Sequence, residues 1–384
     1  MKVLFAIPDR MSSGEESCGG MGNRYRNLLP GLKQFFDVRC VAYGKKEHDD
    51  WKGVKCYSFL PDFRVEEYSK PHAENLFTLH LTIAYLDFKP DVVVACDNQT
   101  FFAAVKLKKL YDFKLVIDFN LAGYSYTIGV SDDTMTPEFQ KLARYVKWIE
   151  KIACEHADGI VTCSDCYTSE IPFKYSCEAI TIPNGLDFDY WSKVVPKKKL
   201  KGNFKKKLLY IGRFNDQKGV RCMLEDDFKL PEGVSLHFVG GEIGSNLFND
   251  VLKKCEERPD FFYEGFGDWA TKKAFYEDCD AVLFPSIHEP FGIVGLEAGI
   301  MRKPLITSRN NGIATYCNKE HCFECVVKPL DKSNSVGISK GIFDWFNASD
   351  VVVEEKVDLF YKRVREFTWD KSIVLYKDFL NKLF

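Results

Sequence analysis

The sequence predicts an α/β protein made of two doubly wound, Rossmann-like halves. Three observations predict it. Short apolar runs without alternation recur along the chain, as strands covered on both faces do. Amphipathic stretches separate them, which argues for parallel sheets flanked by helices. The series is interrupted once, near residues 190–205, and then begins again. A length of 384 residues suits two or three domains.

The first run, Lys2–Ile7, is apolar and stopped by Pro8 and Asp9. It is too short for a signal peptide and reads as a buried strand. Gly22–Phe35 is the first candidate helix. Candidate strands follow at Asp37–Ala42, Val92–Cys96, Leu115–Asp118, Gly159–Cys163 and Ala179–Ile182, with helices at Gln99–Tyr111 and Glu138–His156. In the last helix Phe139, Leu142, Tyr145, Val146, Ile149 and Ile152 recur at helical spacing. Between Lys193 and Lys207 eight of fifteen residues are Lys. That stretch reads as a solvated linker in preference to a contact with an anionic partner. The second series is Lys207–Ile211, Ser235–Val239, Phe261–Tyr263, Ala281–Phe284, Pro304–Thr307 and Cys325–Val327. Ile373, Leu375, Tyr376, Phe379, Leu380 and Leu383 give the tail, Trp369–Phe384, the spacing of an amphipathic helix. The expected division is 1–190, a linker at 191–206, 207–366, and a terminal helix within 367–384.

Composition narrows the function. Hydrophobic residues make up 46% and charged residues 28%, which excludes a disordered or low-complexity chain. The net charge of -2 advertises no global nucleic-acid-binding field. No apolar run reaches the ~18–20 residues of a membrane helix. With 14 Cys in a long chain, many in apolar runs, reduced buried thiols are expected over disulfides. The expected location is cytoplasmic, with peripheral membrane contact open. Lys106, Lys108 and Lys109 among Phe101, Phe102, Leu107 and Leu110 carry that option, against the plainer reading of lysines snorkelling from a half-buried helix.

Three segments carry chemistry. In the first, Pro285-Ser286-Ile287-His288-Glu289-Pro290-Phe291-Gly292-Ile293-Val294-Gly295-Leu296-Glu297, a strand gives way to a helix. Its glycines allow backbone to approach a ligand, and the helix N-terminus offers N–H groups to an anion. Two carboxylates, Glu289 and Glu297, bracket the turn. The second is Gly212-Arg213-Phe214-Asn215-Asp216-Gln217-Lys218-Gly219, where Arg213 and Lys218 follow a strand end and suit a diphosphate. The third, Ser17-Cys18-Gly19-Gly20-Met21-Gly22, reads as a low-bulk turn after the first strand and lacks the spacing of a dinucleotide fingerprint. Surface glutamates, loop cations and a tight turn are the plain alternatives for each alone. A structural zinc at Cys317, His321, Cys322 and Cys325 is the less favoured reading of that cluster. His288 reads as a hydrogen-bonded loop residue.

Together these segments resemble the retaining glycosyltransferases of the GT-B fold, glycosyltransferase family 4 in particular, with glycogen and starch synthases as cousins. Ile182-Pro183-Asn184-Gly185-Leu186-Asp187, Phe238-Val239-Gly240-Gly241, Glu264-Gly265-Phe266 and Phe367-Thr368-Trp369 add to it. The resemblance implies two Rossmann-like domains facing across a cleft, with the terminal helix crossing back to the N-terminal, acceptor-side domain. It implies a sugar transferred from a nucleotide-diphosphate donor (UDP-, GDP- or ADP-linked) to an acceptor hydroxyl on a glycan, a lipid-linked or another molecule, with retention and with neither metal nor cofactor. Arg213 and Lys218 would grip the diphosphate and Glu289 the donor sugar. Phe291, Gly292, Ile293 and Val294 would offer N–H groups, and Glu297 would hold the ribose. Gly212, Gly265 and Phe266 would border the nucleotide, and Gly20 and Gly22 would line the cleft. Relatives carry a His where Phe119 stands here, which makes Asp118 and Asn120 candidates for its sugar contact. Three alternatives stay open: a DNA-base glycosyltransferase, a nucleotide-sugar epimerase of the same fold, and a non-catalytic nucleotide-sugar-binding module. A phosphorylase lacks its pyridoxal-phosphate lysine signature.

Overall fold

The computed structural model describes residues 1–10, 20–44, 48–59, 70–120, 137–193, 199–241, 245–267, 269–329, 331 and 333–384. Among them the chain divides into two compact units. One holds everything up to Gly185 together with Trp369–Phe384, and the other holds Leu186–Thr368. The division thus falls a few residues before the expected linker at 191–206. Part of that linker, 194–198, and Ser17-Cys18-Gly19 of the glycine segment lie outside the described residues.

The first unit is built on eight strands: β1 (Lys2–Arg10), β2 (Asp37–Tyr43), β3 (His48–Trp51), β4 (Val54–Phe59), β5 (Val92–Ala95), β6 (Lys114–Phe119), β7 (Gly159–Thr162) and β8 (Ile180–Thr181). Their order is β3-β4-β2-β1-β5-β6-β7-β8. All neighbours are parallel except β3 and β4. β5 is buried at every residue, because helices cover both faces. Helices Lys70–Phe88, Asn98–Lys108 and Pro137–His156 pack side by side. Helix Gly20–Leu32 packs against the terminal helix Trp369–Asn381. A Cβ on Gly31 would stand 2.1 Å from Ile373 Cδ1, and one on Gly159 2.6 Å from Phe379 Cζ. The terminal helix is therefore seated directly on backbone and belongs to the first core, with Trp369, Ile373, Tyr376 and Leu380 buried in it.

The second unit carries β9 (Lys206–Gly212), β10 (Val234–Gly240), β11 (Phe261–Gly265), β12 (Ala281–Phe284), β13 (Leu305–Thr307) and β14 (Phe323–Glu324). The sheet is parallel throughout, in the order β11-β10-β9-β12-β13-β14. Strand order reverses between β9 and β12. Crossovers leave that point in opposite directions, so the carboxyl ends of these two strands form the ligand-binding crevice of such a sheet.

Several expectations need correction. Gly20 and Gly22 do not form an open turn: Gly20 opens helix Gly20–Leu32 and Gly22 is buried inside it. The last strand is Phe323–Glu324, not Cys325–Val327. β13, its partner, ends at Thr307, and only the Cys325 N–H still reaches the Thr307 carbonyl, at 2.9 Å. The lysine-rich stretch is partly structural: Lys206 pairs with Asp280 at 3.2 Å and Lys207 with Asp278 at 3.0 Å. In helix Asn98–Lys108, Lys106 reaches Asn75 Oδ1 and Lys108 reaches Asp158, while Lys109 is exposed. Cys317, Cys322 and Cys325 are buried thiols pushed up by burial, Cys322 to about 12, and His321 bonds Asn318 Oδ1. Among the described residues, no group of three or more His, Cys, Asp and Glu could hold a metal ion.

Candidate active site

β9 ends at Gly212, and the chain turns at once. Arg213 is exposed, while its carbonyl accepts a 2.7 Å bond from the Tyr210 hydroxyl. Asn215 then caps a single 3-10 turn, Asp216–Lys218, by accepting from the Lys218 N–H at 3.0 Å. Gly219 leaves that turn at φ +74°, in the left-handed region that favours glycine, and a Cβ there would stand 2.4 Å from the Pro285 carbonyl oxygen. Glycine is needed twice over, for the turn and for the approach of two loops.

The second loop follows β12. Ile287 N–H donates to the Gln217 carbonyl at 2.8 Å, which stitches the loop to the turn after β9. Glu289 N–H donates to the Asn310 carbonyl at 3.1 Å, and the Glu289 carbonyl accepts from Gly312 N–H at 2.9 Å. The backbone of Glu289 is thus clamped on both sides. Its carboxylate forms an ion pair with the Lys218 ammonium, both side chains being about one-seventh exposed, 14% and 15%. Burial first and the neighbouring Arg213 second push Lys218 down to about 7. The paired carboxylate acts in the opposite sense and favours the charged form. His288, beside this pair, is buried at 6%.

Gly292, at φ +96°, caps helix Ile293–Ile300. A Cβ on it would meet the Phe284 ring at 2.8 Å. The first intrahelical closure is Gly295 N–H to the Gly292 carbonyl, so the N–H groups of Ile293 and Val294 stand ahead of it at the positive end of the helix. Phe291 is buried against Tyr316 and Phe367, which anchors the turn from below. One and a half turns into the helix, Glu297 is buried, with its two oxygens held by Lys272 at 2.9 Å and Tyr276 at 2.8 Å.

Gly265 ends β11 at φ +90°, with open space where a Cβ would be, and Phe266 beside it is 55% exposed. A buried chain of hydrogen bonds fixes the strand just before them: Ser235 Oγ to His237 Nε2 at 2.8 Å and His237 Nδ1 to Glu264 Oε1 at 2.9 Å. The second unit therefore gathers Gly212, Arg213, Lys218, Gly265, Phe266, Glu289, Phe291, Gly292, Ile293, Val294 and Glu297 on elements that begin or end at one edge of its sheet. Sequence reasoning missed Lys272 and Tyr276. Their spacing of four was legible, but nothing in the sequence names the carboxylate they face.

Gly20, Gly22, Asp118 and Asn120 belong to the first unit. Asp118 is fully buried, and its carboxylate is engaged by groups of the first unit itself. Its Oδ2 takes the Arg24 guanidinium at 3.5 Å and the Tyr376 hydroxyl at 3.0 Å. Phe119 is also fully buried, packed on Phe101 and Tyr175, so that position faces the core. Asn120 is partly exposed, with Nδ2 donating to the Tyr25 hydroxyl at 2.6 Å.

Comparison with known proteins bears on the fold and the family. The family Glycosyl transferases group 1 matches residues 193–336, the segment that holds the loops after β9 and β12. An uncharacterized glycosyltransferase of Methanocaldococcus jannaschii is 25% identical over 92% of this chain and 91% of its own. A glycogen synthase of Mycobacterium tuberculosis is 27% identical over 72% of this chain and 64% of that protein. The sucrose-phosphate synthase of Thermosynechococcus elongatus superposes with a TM-score of 0.80 at 16% identity, covering 100% of this chain and 98% of that one. The chain has the GT-B fold, and its residues 193–336 carry a group 1 glycosyltransferase domain.

Proposed function

We propose that this protein transfers a sugar, with retention and without a metal, from a nucleotide-diphosphate donor to an acceptor hydroxyl bound on the side of the first unit. The observation that carries the reading is the Lys218–Glu289 pair, which joins the turn that also carries Arg213 to the loop that leads into helix Ile293–Ile300. Departure of a nucleoside diphosphate builds negative charge. Two cations and preorganised N–H groups stabilise that charge where it develops, and they supply what a divalent ion supplies elsewhere. Glu289 pairs with Lys218 in a mostly buried site. On donor binding the ammonium turns to the diphosphate, and Glu289 is released to accept hydroxyls of the sugar. Glu297 accepts from the ribose, and Gly265 with Phe266 borders the base.

Thermal shift against UDP-, GDP- and ADP-glucose, with and without EDTA, tests the donor site, since a ligand of the folded state raises its melting temperature. One nucleotide class should shift the protein irrespective of EDTA, and Lys218→Ala should abolish the shift. No shift with any of them would overturn the reading. Retention is checked by proton NMR of the product: an inverted anomeric centre would reject it.

We also infer that the first unit rests on an anionic lipid surface. Leu79, Ile83 and Leu86, at 55%, 51% and 52% exposure, form an apolar stripe along helix Lys70–Phe88. On the same layer of helices, exposed Lys141, Arg144, Lys147 and Lys151 surround Trp148. Apolar insertion beside a basic face suits headgroups of negative charge. Among the described residues, no helix is long and apolar enough to cross a membrane. The protein should sediment with vesicles containing phosphatidylserine but not with phosphatidylcholine alone, and Leu79→Glu with Ile83→Glu should release it. Equal recovery of the wild type in the supernatant with both vesicles would reject the contact.

A further inference from the structure

Helix Trp269–Asp278 follows closely on the segment Gly265–Gly267. Its Lys272 and Tyr276 are four residues apart and share one face. Both reach the same carboxylate. Lys272 Nζ donates to Glu297 Oε1 at 2.9 Å, and the Tyr276 hydroxyl donates to Oε2 at 2.8 Å. One donor on each oxygen fixes the plane of the group and leaves each oxygen further capacity to accept. The clamp is itself held at both ends. The Trp191 ring stands edge-on to Tyr276 with centroids 5.7 Å apart. The Lys272 stem lies over Gly267, where a Cβ would come within 3.3 Å of Lys272 Cγ. Burial, reinforced by Glu297, holds the Tyr276 hydroxyl well above its ordinary range, so it remains a donor.

We propose that Lys272 and Tyr276 are positioning residues that aim Glu297 at the ribose 2′- and 3′-hydroxyls of the donor, and that this clamp sets the discrimination between ribo- and 2′-deoxyribonucleotides. The inference rests on Glu297 as the ribose acceptor. A carboxylate that rotates can follow whichever hydroxyl remains and tolerates the loss of the other. A carboxylate fixed by two donors cannot, and a missing 2′-hydroxyl forfeits a charge-assisted hydrogen bond that the group cannot recover by turning. The clamp also links two segments of one site, because Lys272 is braced by the glycine next to the base-bordering residues.

The test compares binding of UDP, GDP and ADP with that of their 2′-deoxy forms by calorimetry, in the wild type and in Glu297→Ala, Lys272→Gln and Tyr276→Phe. The wild type should prefer the ribo form of its own nucleotide by at least about tenfold. Glu297→Ala should erase that preference, and Tyr276→Phe and Lys272→Gln should each cut it several-fold while raising the donor KM more than they lower kcat. A merely structural role would weaken both forms equally and leave the ratio alone. If Glu297→Ala keeps the wild-type preference, or the wild type has none, Glu297 is not the ribose acceptor. If Glu297→Ala loses the preference while Tyr276→Phe and Lys272→Gln keep it, the ribose reading stands and the clamp is rejected. Tyr276→Phe preserves shape and charge, so it decides the matter even if Lys272→Gln, which strips a buried carboxylate of its cation, folds poorly.

Discussion

Each unit carries a cation–carboxylate pair near the carboxyl ends of its strands, and the two pairs differ in one respect that decides their roles. In the first unit Arg24 and Asp118 are both 0% exposed. Arg24 also donates to the Ile182 carbonyl at 2.9 Å and to Asn184 Oδ1 at 2.8 Å, and Tyr376 brings its hydroxyl to Asp118. Burial, the largest influence, lowers Arg24, but Asp118 together with Tyr25, Cys163 and Tyr376 outweighs it and the net shift is upward. Every partner belongs to the same unit, and the group joins the first helix, β6, the segment after β8 and the terminal helix. In the second unit Lys218 and Glu289 keep some exposure, and burial with a second cation pushes Lys218 downward. The first pair has no partner that a ligand could replace. The second pair is partly exposed, and on the proposed function its lysine exchanges the carboxylate for a diphosphate. Charge at a sheet edge is closed off within the core in the one case and left partly open to solvent in the other, and on the proposed function the open pair does the chemistry.

The sharpest way to break this comparison is to cut each pair and watch which property falls. Asp118→Ala leaves a buried guanidinium without its carboxylate and should cost about 3–5 kcal/mol of stability, read from the urea midpoint. A loss of activity with unchanged stability would show that Asp118 works at the site instead. Lys218→Ala should do the reverse. Turnover should fall by ~10²–10³-fold, about 2.7–4 kcal/mol of transition-state stabilisation, with a smaller loss of stability than in Asp118→Ala, because the carboxylate it leaves is still partly exposed. Near-normal turnover would remove Lys218 from the chemistry.

The same contrast explains what was legible in the sequence. Both sheets and most strand positions could be read, because a parallel strand buried on two faces is an uninterrupted apolar run, as Val92–Ala95 and Ala281–Phe284 are. The loops after β9 and β12 could be read because close approach demands glycine at fixed places, 219 and 292 among them, between charged residues. Helix Lys70–Phe88 was not legible. It carries apolar residues on its exposed face as well as its buried one, so the helical period is blurred. β3, His48-Asp49-Asp50-Trp51, is an antiparallel edge strand with the charge that edges carry, and it reads as loop. Asp118 was misjudged for a related reason. A sequence shows a carboxylate at a strand end but not the arginine 94 residues earlier that neutralises it.

A smaller effect comes from trimming the first pair. Tyr376→Phe removes one hydrogen bond to a charged acceptor while keeping the ring that packs on Phe5. It should cost about 1.5–3 kcal/mol, again in stability alone, and donor binding by the folded protein should be unchanged. A weakened donor KM without loss of stability would mean that the terminal helix reports to the site and that the two pairs are coupled.

The smallest effect, and the one that tests both halves of the contrast at once, is pH. The protonated Lys218 is the form that grips phosphate, so kcat/KM for the donor should be full below a pH of about 7 and fall as pH rises through that value, by up to about tenfold per unit, ~1.4 kcal/mol. Stability should move the other way. Because the folded-state value lies below the ordinary 10.5, the unfolded chain binds more protons across that window, and the cost of burying the charged lysine is relieved as pH rises from about 7 toward 10.5. The urea midpoint of the wild type, compared with that of Lys218→Ala to cancel every other group, should therefore rise where activity falls. Lys218→Arg, whose guanidinium stays charged, should lose both trends. The Arg24–Asp118 pair should contribute nothing to either, since Arg24 is shifted upward and holds its proton throughout. Activity and stability that fell together above neutral pH would mean that Lys218 is paired too tightly to exchange, and the two pairs would then be of one kind.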